Sequence, residues 1–137
     1  IEVNAPDLPG LSIEVGQSRA DYLLRDALRD RFATGSSPYR LVLENQVEER
    51  GLGLSASGRA TRFALEIKSE FLLFEGDQLL SAGSVEERVY MDAPREPYAL
   101  IAARATAEER LAEAAAQSLT RTLLINLDRL AREESGT

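Results

Sequence analysis

Apolar and polar positions alternate over three long stretches of the chain, a pattern that predicts β-strands with one apolar face. The apolar positions are Tyr39, Leu41, Leu43 and Val47 in the first stretch, Phe63, Leu65, Ile67, Phe71 and Leu73 in the second, and a third strand returns from about Gln78 to Met91. A shorter alternation at Leu11, Ile13 and Val15 predicts one further strand near the start of the chain. The pattern therefore predicts four strands.

Two stretches follow a helical period instead. Ser18 and Asp21 resemble a capping box, with Asp in place of the usual Glu. They precede an apolar stripe that predicts a first helix, formed by Ala20, Leu23, Leu24, Ala27, Leu28 and Phe32. The segment Thr34-Gly35-Ser36-Ser37-Pro38 should end that helix.

A second helical stripe occupies the last third of the chain and consists of Leu111, Ala115, Leu119, Leu123, Leu127 and Leu130. If this helix ran unbroken from Pro97 to Glu133, it would be about 55 Å long. A compact domain of this length has a radius of gyration of only about 14 Å. The helix should therefore either extend beyond the globule or break near Ala105-Thr106, where Thr106 and Glu109 form a second capping-box pattern.

Gly76-Asp77 predicts a hairpin turn between the third and fourth strands. A plain two-residue turn would place Ile67 opposite the charged Glu86. A shift of one residue instead brings Leu65 to Val89 and Phe63 to Met91, which buries more apolar surface. A bulge, with Gly83 as the candidate position, would produce that shift, and both registers stay open.

The predicted order of elements is β-α-β-β-β-α, and it defines the fold class. The first helix can serve as a right-handed crossover between two parallel strands, followed by an antiparallel meander. We expect an α+β two-layer sandwich in which two helices cover one face of a four-stranded mixed sheet. It forms a single domain over residues 1–137, with an extended N-terminal segment at 1–10 and a frayed tail at 133–137.

Composition excludes several classes of function. The 137 residues contain no cysteine and no histidine, so zinc sites, iron–sulfur sites, thiolate nucleophiles and Ser–His–Asp triads are excluded. The formal net charge of -7 argues against a general nucleic-acid binder. The sequence predicts no metal and no cofactor.

Candidate catalytic groups are poorly placed. The adjacent pairs Glu48-Glu49 and Glu86-Glu87 lie on strands, so the two members of each pair should point to opposite faces. The glycine-containing stretch 51–58 precedes a strand and offers no helix N-terminus for a phosphate. We therefore expect a binding protein and no enzyme.

Basic residues provide the candidate site. Arg59, Arg62, Lys68 and Arg88 lie on or beside the third and fourth strands and could form a patch for an anionic lipid. The alternative is cross-strand pairing of these side chains with nearby glutamates. The sheet face away from the helices, or an edge strand, could also dock a partner.

The chain as a whole resembles a known family. The relevant stretches are Tyr39-Arg40-Leu41-Val42-Leu43, Ala60-Thr61-Arg62-Phe63-Ala64-Leu65, Ser81-Ala82-Gly83-Ser84-Val85 and the run from Tyr98 to Arg110, with alanines and an arginine at helical spacing. Over about residues 10–130 they resemble the lipopolysaccharide-assembly lipoprotein family LptE, also called RlpB, in its alphaproteobacterial form.

This resemblance implies an outer-membrane lipoprotein on the periplasmic face. Its lipidated cysteine would lie upstream of Ile1, which fits a processed chain that does not begin with Met. Family members plug the β-barrel LptD and help it insert lipopolysaccharide into the outer leaflet. The resemblance thus implies LptD as partner, lipopolysaccharide as a further ligand and no nucleic acid.

Two other functions stay open from the sequence. The first is an auxiliary periplasmic lipoprotein of an ABC-type lipid transport system, which would share the size and the lipid anchor. The second is a small enzyme that works through Asp or Glu.

Overall fold

The predicted element order β-α-β-β-β-α is found in the computed structural model, which describes residues 10–32, 38–54, 56 and 58–135. The elements are β1 (Ser12–Glu14), α1 (Arg19–Arg29), β2 (Tyr39–Leu54), β3 (Ala60–Glu75), β4 (Gln78–Asp92) and α2 (Pro97–Ser135). The strands form one sheet in the order β1-β2-β3-β4. β1 is parallel to β2, and the other neighbours are antiparallel, so the predicted mixed sheet and α+β class are confirmed.

The start of α1 is the predicted capping box. The Asp21 backbone N–H donates to the Ser18 hydroxyl at 3.0 Å, and the Ser18 N–H donates to the Asp21 carboxylate at 3.0 Å. Both bonds satisfy backbone donors that a helix start leaves without partners. Leu24 and Leu28 are buried as expected. Phe32 is also buried, but α1 ends at Arg29, so its place in the helical stripe was wrong. The predicted helix stop lies mostly at residues 34–37, outside the described part of the chain.

The β3–β4 register is the shifted one. Leu65 pairs with Val89 and Phe63 pairs with Met91, so the apolar faces of both strands coincide. The predicted bulge position was wrong: the register shifts beside the turn, where Leu80 is the extra residue, and not at Gly83. A bulge near the turn aligns the whole remaining length of both strands, because all later pairs inherit the shift.

Gly83 has a different role. It pairs with Phe71, and a Cβ atom at Gly83 would lie 3.1 Å from two atoms of the Phe71 ring. The glycine therefore leaves room for the largest fully buried side chain of the core.

α2 is continuous over 39 residues, so the break near Ala105-Thr106, one of the two predicted alternatives, is absent and Thr106 does not begin a helix. Pro97 occupies the first turn, where its missing N–H costs nothing. At 1.5 Å per residue α2 is about 58 Å long, and a 16-residue strand such as β3 is about 53 Å long. The helix is unbroken because the sheet beneath it is almost as long. It continues through Ser135, beyond the predicted start of the tail at residue 133.

The core lies between the two helices and one face of the sheet. The most deeply buried side chains come from both layers and include Leu24, Leu28, Leu41, Phe71, Leu73, Leu119 and Leu123. α1 packs beside α2, and α2 packs mainly on β4 and β3. The opposite side of β2, β3 and β4, called the open face below, has no covering layer among the described residues.

Candidate functional site: the open face of the sheet

Cross-strand registers define the open face as seven rows of neighbouring side chains. From the β3–β4 turn to the far end, the rows of β2, β3 and β4 residues are Arg40/Phe74/Leu79, Val42/Leu72/Ala82, Glu44/Glu70/Ser84, Gln46/Lys68/Glu86, Glu48/Glu66/Arg88, Arg50/Ala64/Tyr90 and Leu52/Arg62/Asp92. The face is thus apolar next to the turn and charged along the rest of its length.

Three of the four predicted ligand residues share this face. Arg62, Lys68 and Arg88 occupy three different rows of it, whereas Arg59 lies in the exposed connection just before β3. Strand alternation places Arg62 and Lys68 on the same side of β3, and the β3–β4 register, in which Arg88 pairs with Glu66, brings Arg88 to that side.

Two of these cations already have partners. Arg62 lies 3.5 Å from the Asp92 carboxylate and over the Tyr90 ring, 5.3 Å from its centroid. Arg88 donates to the Tyr90 hydroxyl at 3.3 Å and pairs with Glu66; the tyrosine contact and then the glutamate raise the pKa of Arg88 above its ordinary value. Cross-strand pairing, the alternative considered from sequence, thus describes Arg62 and Arg88.

Lys68 differs from these two arginines. It is exposed, and it makes no ion pair within 4.0 Å with any residue that the structure describes. Its neighbours across the sheet are Gln46 and Glu86. The lysine ammonium is therefore the most available of the predicted cations for an external anion.

Sequence reasoning missed the acidic centre of the open face. Glu44 lies directly opposite Glu70, and Glu48 lies directly opposite Glu66. Like charges in such positions destabilise a sheet. The residue types alone could not reveal these pairs, because they depend on the register of β2 with β3.

An apolar patch occupies the end of the open face nearest the turn. It consists of Val42, Leu72, Phe74 and Leu79, and the Arg40 guanidinium lies 4.5 Å from the centroid of the Phe74 ring. A shallow groove of about 910 Å³ includes Leu72, Glu70 and Ser84 of the open face in its lining, together with Gly16 and Asp21 from the helix-covered side. The face can therefore contact apolar and charged groups of one ligand at the same time.

A buried polar chain holds the helix side of the same strands together. The Ser69 hydroxyl donates to Asn45 at 2.6 Å, and the Asn45 amide donates to Asp21 at 2.8 Å. Burial alone would raise the pKa of Asp21, but its hydrogen bonds with Asn45 and Ser18 outweigh burial and lower it. The sequence signal was a polar residue at an apolar-face position in both strands, Asn45 between Leu43 and Val47 and Ser69 between Ile67 and Phe71.

Two other kinds of site are absent from the described part of the chain. No described helix combines the length and the apolar character needed to span a membrane. No group of three or more acidic side chains in the described ranges is arranged to hold a metal ion.

Comparison with protein-family models matches residues 8–123 to LptE, described as lipopolysaccharide-assembly. The chain belongs to the LptE family. The match spans both helices and all four strands apart from the last turns of α2. The chain accordingly has a role in lipopolysaccharide assembly at the outer membrane. No curated protein matches it.

Solved structures agree with this family membership. A candidate lipoprotein from Caulobacter crescentus is 28% identical, with a TM-score of 0.70 over 90% of this chain and 91% of that one. Rare lipoprotein B from Shewanella oneidensis is 18% identical, with a TM-score of 0.65 over 88% and 98%. Lipoprotein B from Nitrosomonas europaea is 16% identical, with a TM-score of 0.62 over 85% and 82%. The last two show a shared fold, and the alphaproteobacterial form of the family stays a prediction.

Proposed function

We propose that this LptE-family chain is a lipid-anchored assembly protein, not an enzyme, that plugs the LptD β-barrel. In this role it helps the barrel to fold and to insert lipopolysaccharide into the outer leaflet. The observation that carries the proposal is the family match over residues 8–123. The anchor would be a lipidated cysteine upstream of Ile1, on the periplasmic face of the outer membrane.

The surface of the domain suits the inside of a barrel. The lumen of a large outer-membrane barrel is polar, so a plug needs a charged surface around a self-contained core. The chain has 28% charged residues, and its apolar core is closed between the helices and one sheet face. The elongated slab, with strands and α2 of similar length, could extend along a barrel axis.

We further propose that lipopolysaccharide contacts the open face. Lys68, Arg62 and Arg88 would bind its phosphate groups, with Arg59 contributing from the connection before β3. Leu72, Phe74 and Leu79 at the other end of the face offer contacts for acyl chains. Support comes from the available Lys68 and from the apolar patch on the same surface.

Co-purification tests the partner. The full-length lipoprotein, extracted from membranes in mild detergent, should bring down a large β-barrel protein in a fixed ratio. The matched control is the same lipoprotein carrying a different affinity tag, extracted from cells in which the barrel is depleted. Recovery of an ABC permease without a barrel would overturn the proposal and favour an auxiliary lipoprotein of an ABC-type lipid transporter.

A further inference from the structure

β1 and α1 cover only the first half of β2. β1 pairs only with Arg40, Leu41 and Val42, and α1 begins beside Asn45, to which its Asp21 is hydrogen-bonded. From residue 46 to residue 54, no strand pairs with the outer edge of β2 in the described ranges. Among the residues that the structure describes, the half of β2 that is distant from the β3–β4 turn is therefore a free edge.

Backbone hydrogen bonding shows which residues present this edge. The Gly76 N–H donates to the Pro38 carbonyl at 3.0 Å, and the β2–β3 register stays constant from this point. Even-numbered β2 residues consequently bond to β3, and odd-numbered ones direct N–H and C=O outward. Val47, Glu49 and Gly51 thus offer an unpaired ladder of about three residue pairs.

Exposed apolar side chains lie above this edge on the helix side. Val47 is 42% exposed because α1 does not reach it. Arg104 of α2 donates to Glu49 at 2.9 and 3.1 Å, which places the first turns of α2 beside this part of β2.

Ile101 belongs to the side of α2 that α1 covers further along. It lies seven residues before Glu108, which pairs with Arg19 at 2.8 Å, so both α2 residues are on the same helix face. α1 does not extend as far as Ile101, and the Ile101 side chain is 62% exposed. Tyr98, one turn earlier in α2, is 82% exposed. We call the space bounded by the edge of β2 at residues 46–53 and by Val47, Ile101 and Tyr98 the notch.

Glu48 is the acidic side chain on the open-face side of the notch, and Arg50 lies two residues further along the same edge. Glu48 is exposed at the edge and makes no ion pair with any described residue. Its neighbour across the sheet, Glu66, is the residue with which Arg50 and Arg88 form their ion pairs. A cation beside Glu48 on an added strand would give this carboxylate an opposite charge in the neighbouring strand.

We propose that the notch binds an extended segment of a partner protein as an additional strand on β2. The segment alternates basic and apolar residues: its basic side chains lie beside Glu48, and its apolar side chains pack against Val47 and Ile101. This inference adds a specific surface to the domain and does not require the partner to be a barrel. Strand addition of this kind takes affinity from the backbone ladder and specificity from the alternate side chains.

Synthetic heptapeptides test the proposal on the folded domain. A Lys-Val alternating peptide, titrated into the ¹⁵N-labelled protein, should shift the amide resonances of Val47, Glu49 and Gly51. It should bind about three- to tenfold more tightly than a Glu-Val peptide of the same length. Glu48→Lys should remove or reverse this preference, and Ile101→Asp should weaken binding of both peptides.

Matched variants separate the notch from the rest of the surface. Glu86→Lys reverses a charge on the open face of β4, and Ile125→Asp changes another exposed isoleucine of α2. Neither should alter peptide binding. Equal affinity for the two peptides, shifts confined to β4, or absence of binding up to the solubility limit would overturn the proposal. Concentration-dependent dimers that shift the same three amides would make a second copy the occupant and would overturn it as well.

Discussion

Leu72 and Leu73 are neighbours in β3 and lie on opposite faces of one sheet. Leu73 is 0% exposed beneath the helices, whereas Leu72 is 40% exposed on the open face. Burial of apolar surface on the helix-covered face stabilises the folded state, whereas the charged rows of the open face remain in contact with water. Two identical residue types in one strand can therefore have very different effects on stability, and the difference is set by the layer above them.

The largest predicted effect comes from breaking the covered face. Leu73→Ala should lower the free energy of unfolding by about 3 kcal/mol, because it removes a large buried side chain and leaves a cavity. Leu72→Ala should cost less than about 1 kcal/mol, because its side chain is already partly hydrated. Urea unfolding of both variants measures the contrast, and equal losses would show that the open face is covered in the isolated domain.

The buried polar chain gives the next effect. Asp21→Asn should destabilise the domain by about 2 kcal/mol at neutral pH, because the carboxylate loses charge-assisted hydrogen bonds with Asn45 and Ser18. The folded-state pKa of Asp21 is lowered below the unfolded value of about 3.9, so this stabilisation is present above about pH 4 and is lost as the pH falls further.

Urea unfolding of wild type and Asp21→Asn between pH 7 and pH 2.5 provides the measurement. The two curves should converge in acid. Asp26→Asn is the control, since it changes an exposed aspartate of the same helix. A pH-independent gap between wild type and Asp21→Asn would contradict the role of the ionised carboxylate.

The smallest effect on stability concerns the open face, where binding is the relevant readout. Lys68→Gln should leave unfolding almost unchanged, since the side chain is exposed and without an ion pair in the described structure. Its affinity for purified lipopolysaccharide should fall about two- to fivefold, the effect of one exposed charge contact. Arg121→Gln, an exposed cation on α2, is the control; equal losses for both variants would indicate non-specific attraction.

Patterning along the chain was sufficient for much of the fold. The capping box at Ser18 and Asp21 is local, so a few neighbouring residues determine it. Matching of apolar faces favoured the β3–β4 register that places Leu65 beside Val89, but both registers stayed open until the structure decided between them. Arg62 and Lys68 could be assigned to one face of β3 by their even spacing, whereas the face of Arg88 depends on the β3–β4 register.

Other features required information from distant parts of the chain. The bulge is at Leu80, after two pairs that keep the register of the plain two-residue turn, and the ring of Phe71 explains Gly83 instead. The break expected in α2 rested on a compact shape, and strands of 15 and 16 residues make the sheet too long for that assumption.

The sequence by itself determined the elements, their order and the apolar side of each one, because periodicity and capping act over a few residues. Only the tertiary structure decided what each surface meets. The β2–β3 register places Glu44 and Glu48 opposite other glutamates. Val47 stays exposed because α1 does not extend far enough along β2 to cover it. These neighbouring side chains come from segments that are far apart in the chain, and the packing of the layers sets the distances between them.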